Sequence, residues 1–141
     1  MKIAEAINYK EQAVALLSSE KLPASDLPAT LKNFFVMIEN EELIGVIGLE
    51  IYGSYGLLRS LAVRPESRNQ NIAGKLVDQI EKLALMEGLR AVLLLTETAP
   101  DYFSRKGYKI INRAEMPAEI QQSSEFSHVC PQSAIAMKKD L

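Results

Sequence analysis

Apolar residues recur along this chain in two rhythms, and the change from one to the other divides it. Ile3 to Ile7 reads as a short strand. From Tyr9 to Ser19, Ala13, Val14, Leu16 and Leu17 form one helical face. Pro23 ends that pattern, and Ser25-Asp26-Leu27-Pro28 predicts a turn leading into a second short helix. The next segment is β-rich. Phe34 to Glu39 is aromatic and branched, the polar turn Asn40-Glu41-Glu42 follows, and Leu43 to Tyr52 predicts a long strand containing Gly45 and Gly48. Gly53-Ser54-Tyr55-Gly56 is a second turn before a third strand, Leu57 to Val63, and turns this short imply an antiparallel meander.

The period then lengthens. Ile72, Leu76, Ile80 and Ala84, flanked by Ala73, Val77 and Leu83, trace a helical stripe, with Lys75, Asp78, Gln79, Glu81 and Lys82 on the other side. Gly88 is placed to stop this helix. Ala91 to Leu95 is a continuous apolar run, the pattern of a strand covered on both faces. Pro100 to Arg105 predicts a short helix with proline in its first turn, Gly107 ends it, and Tyr108 to Ile111 is a further strand. Asn112 to Ser133 is a long connection in which Pro117 to Phe126 could hold a short helix. A meander followed by alternating strands and helices predicts an α/β fold with some parallel pairing. No repeat, low-complexity tract or linker interrupts it, so residues 1–141 are expected to form a single domain.

Composition narrows the function without naming it. A formal charge of −2 over 141 residues argues against a surface built to neutralise nucleic-acid phosphates. The apolar runs are too short to span a bilayer, and the start, Met1-Lys2-Ile3-Ala4-Glu5, has no apolar core of an export signal. One cysteine, Cys130, has no partner for an internal disulfide, which fits a reducing, cytoplasmic setting. One histidine and one cysteine leave little material for a transition-metal site, so no metal is expected.

The most informative window runs from Leu57 to Leu76: a strand, the turn Arg64-Pro65-Glu66, the polar loop Ser67-Arg68-Asn69-Gln70-Asn71, and a long amphipathic helix. Free N–H groups at a helix start favour an anion. Arg68 adds charge, and Ala73 and Gly74 are small enough for a phosphate chain to approach the backbone. A diphosphate site and a helix start capped by its own polar loop are both consistent with these residues.

Leu58-Arg59-Ser60-Leu61-Ala62-Val63-Arg64-Pro65, followed by Arg68-Asn69-Gln70-Asn71-Ile72-Ala73, resembles the signature of the GCN5-related N-acetyltransferase (GNAT) superfamily. In that family a Leu-x-x-Leu-x-Val-x-Pro strand precedes an Arg/Gln-x-x-Gly-x-Gly/Ala loop opening a long helix. Tyr102-Phe103-Ser104-Arg105-Lys106-Gly107-Tyr108 looks like its aromatic-x-x-x-Gly-aromatic segment, and the order of elements agrees along nearly the whole chain. Leu57 to Leu61, Phe103 to Tyr108 and Glu125 to Ala134 look like the branch associated with arsenic resistance.

The resemblance implies a mixed, splayed β-sheet flanked by helices and acetyl-CoA as co-substrate, with a small-molecule amine, plausibly amino-acid-like, as acceptor. It further implies that Leu61, Ala62 and Val63 pair with the pantetheine arm. Arg68, Asn69, Gln70, Asn71, Ile72 and Ala73 would then hold the pyrophosphate, and Phe103 would border the cofactor. The neutral amine would attack the thioester directly. Two departures stand out: Asn71 replaces the usual glycine, and Phe103 stands where many members carry the tyrosine proposed as general acid.

Glu50 and Glu97 are the carboxylates placed to take a proton from the acceptor ammonium, although alternation along the long strand equally suits a solvent-facing Glu50. Arg59, in an otherwise apolar strand, needs a partner, either a substrate carboxylate or a structural acid such as Glu50. Cys130 and Ser133 are further acceptor-side candidates, while His128, the sole histidine, suits a surface loop. A homodimer is one expected assembly. The rival readings are a non-catalytic acyl-CoA-binding regulatory module, favoured by Asn71 and Phe103, and a protein acetyltransferase acting on a lysine or an N-terminus.

Overall fold

The computed structural model describes residues 1–123 and 133–141. Seven strands are present: β1 (Lys2–Glu5), β2 (Phe34–Glu39), β3 (Glu42–Tyr52), β4 (Tyr55–Val63), β5 (Ala91–Thr96), β6 (Lys109–Ile111) and β7 (Ile135–Asp140). Four helices accompany them: α1 (Lys10–Ser19), α2 (Ile72–Met86), α3 (Pro100–Arg105) and α4 (Ala118–Gln121). The strand order is β1-β2-β3-β4-β5-β7-β6. β1–β2, β2–β3, β5–β7 and β6–β7 pair antiparallel, whereas β4 and β5 run parallel, with Tyr55↔Ala91, Gly56↔Val92 and Leu57↔Leu93 in register. The fold is therefore a mixed seven-stranded sheet with flanking helices.

Two compact units share the chain: Met1–Leu49 with Ser60–Lys82, and Glu50–Arg59 with Leu83–Leu141. In the first unit, Ala13, Leu16 and Leu17 of α1 join Phe34, Val36, Ile38, Leu43, Val46 and Ala62 in one buried cluster. In the second, Leu57, Ala91, Leu93 and Ala136 of the strands meet Met116 and Ile120. Full burial of a Leu or Ile side chain contributes about 1.5–3 kcal/mol, so these clusters outweigh any single polar contact at the surface.

Local chemistry sets several boundaries. The β2–β3 loop is the two residues Asn40 and Glu41, both left-handed at φ 51° and 64°, with Glu39 opposite Glu42. That is the type I′ geometry whose twist suits a hairpin. At the end of α2, Gly88 is left-handed at φ 72°, its N–H donates to the Leu85 carbonyl, and the Leu89 N–H donates to the Ala84 carbonyl. This is a Schellman cap, closed by burial of Leu89. α3 ends in the same way: Gly107 N–H donates to Ser104 O, and Tyr108 N–H donates to Phe103 O.

Three expectations need correction. No helix forms between α1 and β2; the segment is a series of turns with left-handed Lys21, Leu31 and Asn33. Pro23 and Pro28 break helical pairing there, while buried Leu31 and the neighbouring Leu22, Ala24 and Leu27 pack on the first core cluster. β4 begins at Tyr55 rather than Leu57, because its first residues already pair with β5. Finally, β7 was not foreseen. It inserts between β5 and β6 and matches all six residues of β5, from Ala91↔Asp140 to Thr96↔Ile135.

Candidate functional site

β3 and α2 together set the position of the polar loop 67–71. A methyl group on Gly45 of β3 would lie 3.1 Å from Ile72 Cγ2, 3.1 Å from Leu76 Cδ1 and 3.4 Å from the Ala62 carbonyl. Glycine at this point lets the first turns of α2 rest on the strand backbone. The end of β4 is tied to β3 by Arg64 N–H donating to Ile44 O at 2.9 Å, and by an exposed Arg64–Glu42 ion pair at 3.1 Å. Within β4, Ser60 has φ 61°, a left-handed residue interrupting the strand just before Leu61, Ala62 and Val63. Ala62 and Val63 are buried, and Leu61 is half-buried.

A single 3-10 turn, Pro65–Ser67, leads from β4 into the loop. Asn69 and Asn71 then adopt φ 72° and 59°. Asparagine enters this region more readily than most residues, which lets the loop turn at Asn71 without a glycine. The helical ladder of α2 starts with the Lys75 N–H donating to the Asn71 carbonyl at 3.1 Å. The N–H groups of Ile72, Ala73 and Gly74 therefore precede the ladder, as in any helix start. A Cβ added at Gly74 would meet the Asn71 side-chain oxygen, so that side chain would have to turn away. Arg68, Asn69, Gln70 and Asn71 are exposed, and the Arg68 guanidinium is ion-paired with Glu20 at the end of α1. The feature of this segment that could hold an anion is the set of N–H groups ahead of the α2 ladder, since its one arginine is already paired with Glu20.

The second unit holds a polar cluster on β3 and β4. The Arg59 side chain is 1% exposed, and its Nη1 lies 3.6 Å from Glu50 Oε1. The Tyr52 hydroxyl donates to the same Oε1 at 3.1 Å. Ser123, also buried, hydrogen-bonds to the Tyr52 hydroxyl. Burial first, and then the adjacent Glu50 charge, push the Tyr52 hydroxyl up to about 12. Arg59 thus meets Glu50, the structural acid named above as one of its two candidate partners. Sequence reasoning missed Tyr52 and Ser123. Alternation places Tyr52 two residues from Glu50, on the same strand face, and that was the available signal.

The remaining candidates belong to other segments of the chain, and two of them lie outside the described residues. Glu97 is exposed, one residue beyond β5. Phe103 is 5% exposed, packed edge-on against Tyr102 (centroids 5.2 Å apart) and Tyr108 (5.6 Å), so its ring anchors α3. Ser133 is exposed in the turn before β7, whereas Cys130 and His128 lie outside the described residues. Among the described residues, no cluster of three or more His, Cys, Asp or Glu could hold a metal ion, and no helix is long and apolar enough to cross a membrane.

The acetyltransferase (GNAT) domain family matches residues 30–110, and the chain belongs to that family. An uncharacterised N-acetyltransferase of Chlorobaculum tepidum is 34% identical over 91 residues, 64% of this chain. The match spans 58% of that relative's length. Among solved structures, Rv2747 of Mycobacterium tuberculosis, determined with CoA, is similar over 100% of this chain and 99% of its own (TM-score 0.84, 22% identity). N-acetylglutamate synthase of Neisseria gonorrhoeae, complexed with coenzyme A and N-acetyl-glutamate, is similar over 99% of this chain but 35% of its own (TM-score 0.81, 16% identity).

Proposed function

We propose that residues 1–141 act as one acetyltransferase domain, transferring an acetyl group from acetyl-CoA to the amine of a small, amino-acid-like molecule. The observation that carries this reading is the loop 67–71, with left-handed Asn69 and Asn71 feeding a helix start seated on Gly45. Membership of the GNAT family supports the reaction class. Acetyl-CoA supplies an activated thioester acyl group. The N–H groups of Ile72, Ala73 and Gly74, with Arg68, Asn69, Gln70 and Asn71, would hold its pyrophosphate. Leu61, Ala62 and Val63 offer backbone groups to an extended ligand arm. In this reading the end of β4 and the loop, both in the first unit, serve one cofactor.

Glu50 is the carboxylate assigned to remove the acceptor's ammonium proton, because the Tyr52 hydroxyl donates to one of its oxygens, beside an ion pair with Arg59, while the side chain stays 18% exposed. Exposed Glu97 is the alternative base. Arg59 is already ion-paired with Glu50, so an acceptor carboxylate would compete with that pair or be met by another residue. The arsenic-resistance likeness remains a reading of ancestry. A cytoplasmic location and a homodimer are the expected setting.

A calorimetric titration with acetyl-CoA tests the reading, followed by an amine panel monitored by thiol release. One site per chain with turnover of a free amino acid or a similar small amine is the expected result. Tight binding with no turnover across the panel would instead favour an acyl-CoA-binding module. Asn71 packed on Gly74, and a Phe103 with no proton to give, are the features that favour that second reading.

A further inference from the structure

Ser123, Tyr52, Glu50 and Arg59 form a chain of polar groups in the second unit, with Glu50 between Tyr52 and Arg59. Tyr52 and Arg59 both come closest at Oε1 of Glu50, at 3.1 Å and 3.6 Å, so Oε2 is the oxygen that neither donor takes. Burial differs along the chain: the Arg59 side chain is 1% exposed and the Glu50 side chain 18%. A carboxylate gripped through one oxygen and open at the other has a fixed direction. Direction matters here because proton removal requires the accepting oxygen within hydrogen-bond reach of the ammonium.

Arginine alone would not fix that direction. At 3.6 Å the Arg59–Glu50 contact is a loose ion pair, and it leaves the carboxylate free to rotate about its last torsion, which is broad for Glu. The Tyr52 hydroxyl supplies the shorter bond, and it comes from a ring restricted to two side-chain torsions. Ser123, in turn, hydrogen-bonds to the Tyr52 oxygen. The hydroxyl remains a donor throughout any working pH, since it ionises only near 12. Other charge near this corner comes from Glu119, whose carboxyl lies 3.8 Å from the Cβ position of Gly53.

We infer that Tyr52 is a positioning residue: its hydroxyl, backed by Ser123, holds Oε1 of Glu50 so that Oε2 receives the proton of the acceptor ammonium. The inference rests on the acetyl-transfer reading and deepens it by assigning what orients its base. In the step itself, the ammonium N–H bond breaks and the proton passes to Glu50 Oε2. The nitrogen lone pair then forms the bond to the acyl carbon, the carbon–sulfur bond breaks with its electron pair leaving on sulfur, and the second nitrogen proton passes to that thiolate, giving the amide and the free thiol.

A double-mutant cycle in kcat and KM tests it, using Tyr52→Phe, Glu50→Gln and the double variant with acetyl-CoA and an accepted amine. Tyr52→Phe keeps the ring and removes only the hydroxyl. It should lower kcat about tenfold with KM for acetyl-CoA unchanged, and should have no further effect in the Glu50→Gln background. Ser123→Ala, a milder change at one end of the chain, should lower kcat about threefold and likewise lose its effect without Glu50. Losses of equal size in both backgrounds, or no loss from Tyr52→Phe in a wild type that turns over, would overturn the positioning role alone. A wild type inactive with every amine overturns the acetyl-transfer reading, and this inference with it.

Discussion

Tyr52 joins burial, hydrogen bonding and charge at one atom, and that makes its titration a measurable property of the fold. In the unfolded chain its hydroxyl ionises near the ordinary value of 10.0; in the folded protein burial and Glu50 push it up to about 12. The folded state therefore holds this proton more tightly. Its contribution to stability is complete below pH 10 and is lost as pH rises through about 12. Urea melts of the wild type should consequently lose stability between pH 10 and 12 more steeply than melts of Tyr52→Phe. Parallel profiles would show that the hydroxyl is solvated as in the unfolded chain. Asn71 is the second informative residue. Asn71→Glu places a negative charge where the pyrophosphate is expected, and should weaken CoA binding at least about tenfold by calorimetry. An unchanged Kd would move the cofactor away from the loop.

Elements are decided by smaller margins. The α2 stop needs a left-handed residue, and nothing lies within 4 Å of a Cβ added to Gly88. Gly88→Ala should therefore cost only the backbone term, about 1 kcal/mol in a denaturant melt, without disturbing packing. Gly45 is the opposite case, because its added Cβ already crowds Ile72, Leu76 and Ala62 O at 3.1–3.4 Å. Gly45→Val should push the start of α2 off the strand and weaken CoA binding more than it slows folding. In the hairpin turn, Glu41 carries a left-handed φ of 64° that glycine would adopt without strain. Glu41→Gly is expected to raise stability by about 0.5 kcal/mol. These elements were legible because a few local residues decide each of them. The turn residues at 53–56 misled by two positions, since pairing of Tyr55 with Ala91, 36 residues away, extends β4 beyond what its own composition suggests.

For the molecule as a whole, ligand linkage is the most direct probe. Acetyl-CoA at a hundredfold excess over its Kd should add about 2.7 kcal/mol to stability, visible as a rise of several degrees in Tm. A Tm that does not move with acetyl-CoA would remove the cofactor, and with it the acetyl-transfer reading, whatever the fold. The pairing of β7 with β5 and β6 has its own scale. Its residues Ile135-Ala136-Met137 are apolar but its second half is Lys138-Lys139-Asp140, so composition marks it weakly as a strand. It is held by a full six-residue register against β5, and by Lys139, whose ammonium donates to Lys106 O at 3.0 Å and sits 5.8 Å from the Tyr108 ring.

Read alone, the sequence determined what near neighbours decide. Periodicity marked α1 and α2, a proline in the first turn marked α3, an aromatic and branched run marked β2, a continuous apolar run marked β5, and glycine marked the ends of α2 and α3. Each signal lies within about one helical turn or one strand. The loop from Arg68 to Ala73 was legible for the same reason, as its small and polar residues are consecutive. Tertiary structure alone decided which strand neighbours which, that residues 20–33 pack as turns instead of a helix, that Arg59 takes Glu50 of the two partners the sequence left open, and that the Tyr52 hydroxyl meets the same carboxylate. Those outcomes depend on contacts between residues far apart in sequence. Their free energy comes from burial and pairing that exist only once the sheet has formed, and no local pattern records them.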